Sequence, residues 1–121
     1  MIWIEKVNWL DKDNGEADIY LTDGIYNVVC FSSSFYGDEE QEFNGQIYSY
    51  EAENVYKKLD EKCEIRKKDD GIYHLEGKMV DRENKIVRIG EFLISLSDSQ
   101  IDKDILLNDY IEFETSRLDI Y

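Results

Sequence analysis

Short runs of alternating apolar and polar residues, each closed by a turn signal, recur along this chain and predict antiparallel strands. "EADIYLTDGIYNVVCF" is the clearest run. An Asp23-Gly24 turn suits a two-residue hairpin, because glycine accepts the positive φ such turns need. Pairing outward sets Leu21 against Tyr26, Ile19 against Val28 and Ala17 against Cys30, an apolar face that puts Cys30 in the core. Asp18, Tyr20, Thr22, Asn27 and Val29 make the opposite, mixed face. "CEIRKKDDGIYHLEGKMV" predicts a second hairpin turning at Asp69-Asp70-Gly71, with Ile65 opposite Leu75 and Lys67 opposite Tyr73. "GKMVDRENKIVRIGEFLISL" predicts a third, turning at Glu83-Asn84. There Leu75 meets Phe92, Tyr73 meets Ile94, and Gly77 meets Gly90; facing glycines in long strands predict a sharp bend. Tyr110 to Leu118 alternates as a last strand.

One segment breaks the alternation. In "YEAENVYKKLDEKC", Ala52, Val55, Tyr56, Leu59 and Cys63 fall at helical spacing, and Glu53 and Lys57 form a favourable i,i+4 pair. A short helix is predicted over about 51–63, with a strand over 47–59 as the alternative. Strands, one helix and further strands, all turn-linked, predict a small antiparallel barrel.

The hairpin at Asp23-Gly24, the helix near 51–63, the bent Gly77/Gly90 strands and the closing "ILLNDYIEF" together resemble the OB-fold. The resemblance spans most of the chain and implies oligonucleotide binding through loops equivalent to "DKDNGE" and "DRENK". The acidity of the first loop opposes that partner.

At 121 residues the chain is expected to be a single domain, 1–121, mainly β. Proline is absent, and no repeat or linker interrupts the chain. Twenty-eight acids against fourteen bases leave a net charge of −14, a field that repels nucleic acid and anionic membrane and attracts basic partners. The charge is uneven. Residues 1–56 carry twelve acids and two bases (−10), residues 57–88 eight and ten (+2), and residues 89–121 eight and two (−6). Aromatic and β-branched residues are too frequent for a disordered chain. There is no apolar run of spanning length, and the amino terminus lacks a signal-peptide pattern, so a cytoplasmic protein is expected. Cys30 and Cys63 have no metal-ligand spacing and are expected as reduced thiols.

Candidate chemistry is sparse. "CFSSSFYGDEEQEF" combines a cysteine, three serines and four acids. A nucleophile there needs a base, and the only histidine, His74, lies by parity on the face opposite Tyr73 and Leu75. The acids Asp38, Glu39, Glu40 and Glu42 have no spacing that imposes a coordination geometry. "DKDNGE", with Asp11 and Asp13, resembles the start of a calcium loop, but its glycine comes one position early and Thr22 stands where glutamate is needed. If Gly77 opposes Gly90, Glu76 lies across from Glu91 with His74 diagonal to them, a like-charge pair that requires a cation, a shared proton or a partner's base. "RKK" is followed at once by "DD", so no uninterrupted basic stripe exists.

The expected function is non-catalytic recognition of a basic protein through an acidic surface at 11–18, 38–42 and 98–109, as in immunity or inhibitor proteins by analogy. Asp11, Asp13, Asp38, Glu39, Glu40 and Glu42 are the expected contact residues. No cofactor is expected, and a dimer is compatible with tyrosine-rich strand edges. The alternative is a barrel binding a small ligand or metal, with possible hydrolytic chemistry, at His74, Glu76 and Glu91. Single-stranded nucleic-acid binding, disfavoured by charge, is the second alternative.

Overall fold

The alternating runs become twelve strands and, among the described residues, no helix. The computed structural model describes residues 1–97 and 99–121. None of its elements is a helix long and apolar enough to cross a membrane.

Two antiparallel meanders carry the fold. The first runs in the order β4 (Glu42–Phe43), β1 (Ile2–Asp11), β2 (Glu16–Thr22), β3 (Asn27–Ser32). The second runs β10 (Phe92–Ser95), β9 (Ile86–Ile89), β8 (Tyr73–Asp81), β11 (Tyr110–Thr115), β6 (Glu53–Lys57), with β7 (Glu64–Lys67) also on β8. Between them lie β12 (Arg117–Asp119) and β5 (Ile47–Tyr50), which pair with each other; β12 runs parallel to β3 and β5 parallel to β10. The result is one continuous sheet around one core that includes Ile19, Leu21, Leu75, Phe92, Phe113 and Leu118. It does not close into the expected OB-like barrel, because β4 and β6 stand at its two ends and do not pair with each other.

The first hairpin keeps its faces and changes its partners. Its loop has four residues, Asp23 to Tyr26, and the ladder runs Thr22–Asn27, Leu21–Val28, Ile19–Cys30 and Ala17–Ser32. The Asp23 carboxylate explains the longer loop: it accepts the N–H groups of Ile25 (2.9 Å) and Tyr26 (2.7 Å). The register differs from the two-residue turn by two, an even number, so parity is preserved and Ala17, Ile19, Leu21, Val28 and Cys30 are all buried. The second hairpin has the expected register, Ile65 on Leu75 and Lys67 on Tyr73.

The third hairpin turns where expected, but β9 ends at Ile89 and reverses again at Gly90-Glu91, Gly90 having φ +59°. Its register is Lys78–Arg88 and Met79–Val87, one residue from the expected pairing, so Gly77 does not face Gly90. Gly77 has another role in the pairing. Along one edge, β8 pairs with β7 over Tyr73–Glu76 and with β9 from Lys78 onward, and Gly77 lies at the handover. A Cβ there would sit 2.6 Å from Ile89 Cγ1 and 2.7 Å from the Arg88 carbonyl oxygen.

The expected helix over 51–63 is instead the strand β6, paired to β11 through Lys57–Ile111 and Tyr56–Glu112. Helical spacing predicted a buried stripe, yet Leu59 is fully exposed and Tyr56 is exposed. The backbone partners offered by β11 outweigh the weak local preference for helix. The last expected strand also divides, at Ser116, where the chain passes from β8's edge to β5 and β3.

Candidate functional site

On the outer face of β7, β8, β11 and β6, register gathers charge. Glu64, Glu76 and Glu112 stand side by side on three neighbouring strands, and Arg66, His74 and Glu114 form the next row. Three adjacent carboxylates repel one another unless a cation lies among them. Lys58 supplies that cation. Its side chain is only 6% exposed, and its ammonium contacts Glu76 Oε1, lies 2.8 Å from Asp60 Oδ1 and donates to the Lys62 carbonyl at 2.7 Å.

The histidine lies between carboxylates. His74 Nε2 is 3.3 Å from Glu76 Oε2, and Nδ1 is 3.5 Å from Glu114 Oε2. Glu114 also receives Lys68 Nζ at 2.9 Å and the Asn54 side-chain N–H at 3.1 Å. Burial pushes the Glu76 carboxyl up, but the Lys58 ammonium against it outweighs burial and holds it at about 2. Lys68, then Asn54, hold Glu114 below the usual carboxylate range.

Glu64, His74 and Glu76 can each present a donor atom within 4.8 Å of the others, a set of the type that suits a divalent cation. One oxygen of Glu76 is already satisfied by Lys58. Glu91 stands apart from this group. Because β9 ends at Ile89, Glu91 falls in the next turn, where its carboxylate pairs with the amino group of Met1 and its N–H donates to Asp23 Oδ2 at 3.0 Å. Glu64 takes the place opposite Glu76 that was expected for Glu91. The correct register of the second hairpin already implied it, since Ile65 on Leu75 puts Glu64 on Glu76. Lys58, Glu112 and Glu114 required β11 and β6 to be placed.

The acids of the amino-terminal half meet along a different edge. Asp11 accepts the backbone N–H of Asn14 at 3.3 Å and its side-chain N–H at 2.7 Å, so "DKDNGE" is a plain hairpin turn with Asp13 exposed on it. The Phe35 N–H donates to the Gly15 carbonyl at 2.9 Å, and the Phe35 ring lies 5.9 Å from Trp9, folding "CFSSSFYGDEEQEF" back onto that turn. The stretch then follows β1. Glu39 Oε1 accepts the Val7 N–H at 3.1 Å, the Glu40 N–H donates to the Ile4 carbonyl at 2.7 Å, and Glu42 pairs with Trp3.

Asp11, Asp13, Asp38, Glu39, Glu40 and Glu42 therefore share one margin of the sheet. A cleft of about 320 Å³ opens there between Trp9, Lys12, Tyr36, Asp38 and Glu39. The third expected acidic segment, 98–109, is not joined to them by a hydrogen bond or an ion pair among the described residues. It packs on the β8–β9 turn, where the Arg82 guanidinium donates to the Ile105 carbonyl at 2.8 Å; Asp98 lies outside the described residues.

Burial raises both cysteine thiols, Cys63 being half-buried. Cys30 is fully buried on the core face, and burial raises its thiol far above the ordinary range. His74 lies on the outer face. No family model, no curated protein and no solved structure matches this chain.

Proposed function

We propose that this protein binds a basic protein partner, without catalysis, through the acidic margin formed by Asp11, Asp13, Asp38, Glu39, Glu40 and Glu42. One observation carries this reading. Among the described residues, ion pairs engage acids only from Asp60 onward, and none of the twelve acids in residues 1–56 has one. The two bases of that segment lie over aromatic rings instead, Lys6 at 5.3 Å from Tyr20 and Lys12 at 5.6 Å from Trp9. Uncompensated charge of one sign raises association rates with an oppositely charged partner and makes binding salt-sensitive.

The test is a pull-down from host lysate with the wild-type protein and with Asp38→Lys/Glu39→Lys/Glu40→Lys, eluted by a salt step. A basic protein retained by the wild type, released by salt and lost by the triple variant supports the reading. Equal retention by both proteins removes it.

A second reading places a divalent cation or small ligand at His74, Glu76 and Glu64, supported by their three convergent donors. Calorimetric titration with zinc, on the wild type and on His74→Ala, decides it. Heat that disappears in the variant supports the site, and no heat from the wild type removes it.

A further inference from the structure

The cleft at the acidic margin already holds a cation supplied by the chain. The Lys12 ammonium, from the exposed turn between β1 and β2, stands over the Trp9 ring, while Tyr36, 76% exposed, Asp38 and Glu39 line the same cleft. An indole face attracts a cation through its quadrupole, and tryptophan does so best. Lys12 makes no ion pair among the described residues, so its ring contact can be given up without breaking one.

We propose that the cleft receives an arginine side chain of the partner and that Lys12 is a built-in competitor which that arginine displaces. This rests on the acidic-margin reading above and names the group read there. Guanidinium fits better than ammonium for two reasons. It is planar and weakly hydrated, so it stacks on Trp9 or Tyr36, and its fork of donors can engage a carboxylate in a bidentate manner. Glu39 gives one oxygen to the Val7 N–H, which fixes the side chain at the cleft wall and leaves its other oxygen available. Exposed aromatic residues of this kind, bordered by charge, are the side chains that anchor protein interfaces.

Competition predicts an inverted mutational effect. Removing Lys12 should strengthen binding beyond what the loss of one positive charge accounts for. Lys6 provides the control, because it carries the same charge on neighbouring β1 but sits over Tyr20 and alternates with Val7 and Trp9, the strand residues that line the cleft.

The probe is an end-blocked hepta-arginine peptide, titrated by calorimetry at low ionic strength into wild type, Lys12→Gln, Lys6→Gln, Tyr36→Ala and Asp38→Lys/Glu39→Lys/Glu40→Lys. Lys12→Gln should bind about threefold to tenfold more tightly than Lys6→Gln, and Tyr36→Ala should bind more weakly than wild type by a similar factor. A hepta-lysine peptide should bind the wild type less tightly than hepta-arginine. If Lys12→Gln and Lys6→Gln match and Tyr36→Ala is unchanged while the triple variant loses binding, the cleft inference falls and the acidic margin stands. If the triple variant binds like wild type, or the wild type does not bind, both fall.

Discussion

The ammonium of Lys58 is buried against the carboxylate of Glu76, the middle member of a row of three glutamates, so that one of the three is paired by a cation from the chain itself. Taking one partner away leaves a charge stranded where water is scarce, which costs more than the pair contributes when intact. Lys58→Met should lower the unfolding free energy by about 3 kcal/mol. The double variant Lys58→Met/Glu76→Met should recover much of that loss. Urea unfolding of the wild type and the variants measures both.

Acid should erode the same pair. The folded-state carboxyl of Glu76 is held at about 2 against a usual glutamate value of 4.5, so the unfolded chain takes up its proton first as pH falls. The resulting stabilisation is present above 4.5 and disappears as pH drops towards about 2. Other lowered acids, Asp23 and Asp109 among them, act in the same direction, so the comparison isolates one group. Stability measured across this window should fall less steeply for Glu76→Gln than for the wild type.

Gly77 is required by space at the point where β8 changes neighbours. An added methyl group meets a backbone oxygen at 2.7 Å as well as two side chains, and backbone cannot swing aside. Gly77→Ala should cost about 1–3 kcal/mol, the range for overpacking a filled core, and should lower the thermal midpoint accordingly. A midpoint equal to wild type would mean the strands part there without cost.

The two meanders are also tied by a side chain. The Val29 N–H on β3 donates to the Tyr73 hydroxyl on β8 at 3.1 Å. Tyr73→Phe keeps the ring and strands that amide, with an expected loss of about 1–2 kcal/mol. Amide exchange at Val29, followed by NMR, should quicken in the variant more than at Leu21 in the same hairpin.

Period-two alternation and turn chemistry were enough to place both faces of the first hairpin, the whole register of the second and the site of the third turn. These are local properties. Parity survives an even slip, so Cys30 reached the core even though it faces Ile19 rather than Ala17. The acids of "DKDNGE" and "DEEQE" were visible in the sequence, but their meeting along β1 was not local: the Val7 N–H reaches Glu39 across thirty-two residues, and the expected third segment, 98–109, packs elsewhere.

Tertiary structure alone decided the rest. Whether residues 53–57 formed a helix or a strand depended on the free edge of β11, more than fifty residues away in the chain. Whether Glu76 met Glu91 depended on one residue of register beyond Gly77, and the second turn at Gly90-Glu91 changed it. The cation that answers the glutamate row came from Lys58, which no local pattern links to Glu76. Alternation and turn residues act through near neighbours and so could be read directly, whereas edge pairing, register beyond a change of partner strand and charge compensation depend on which distant strands the core brings together.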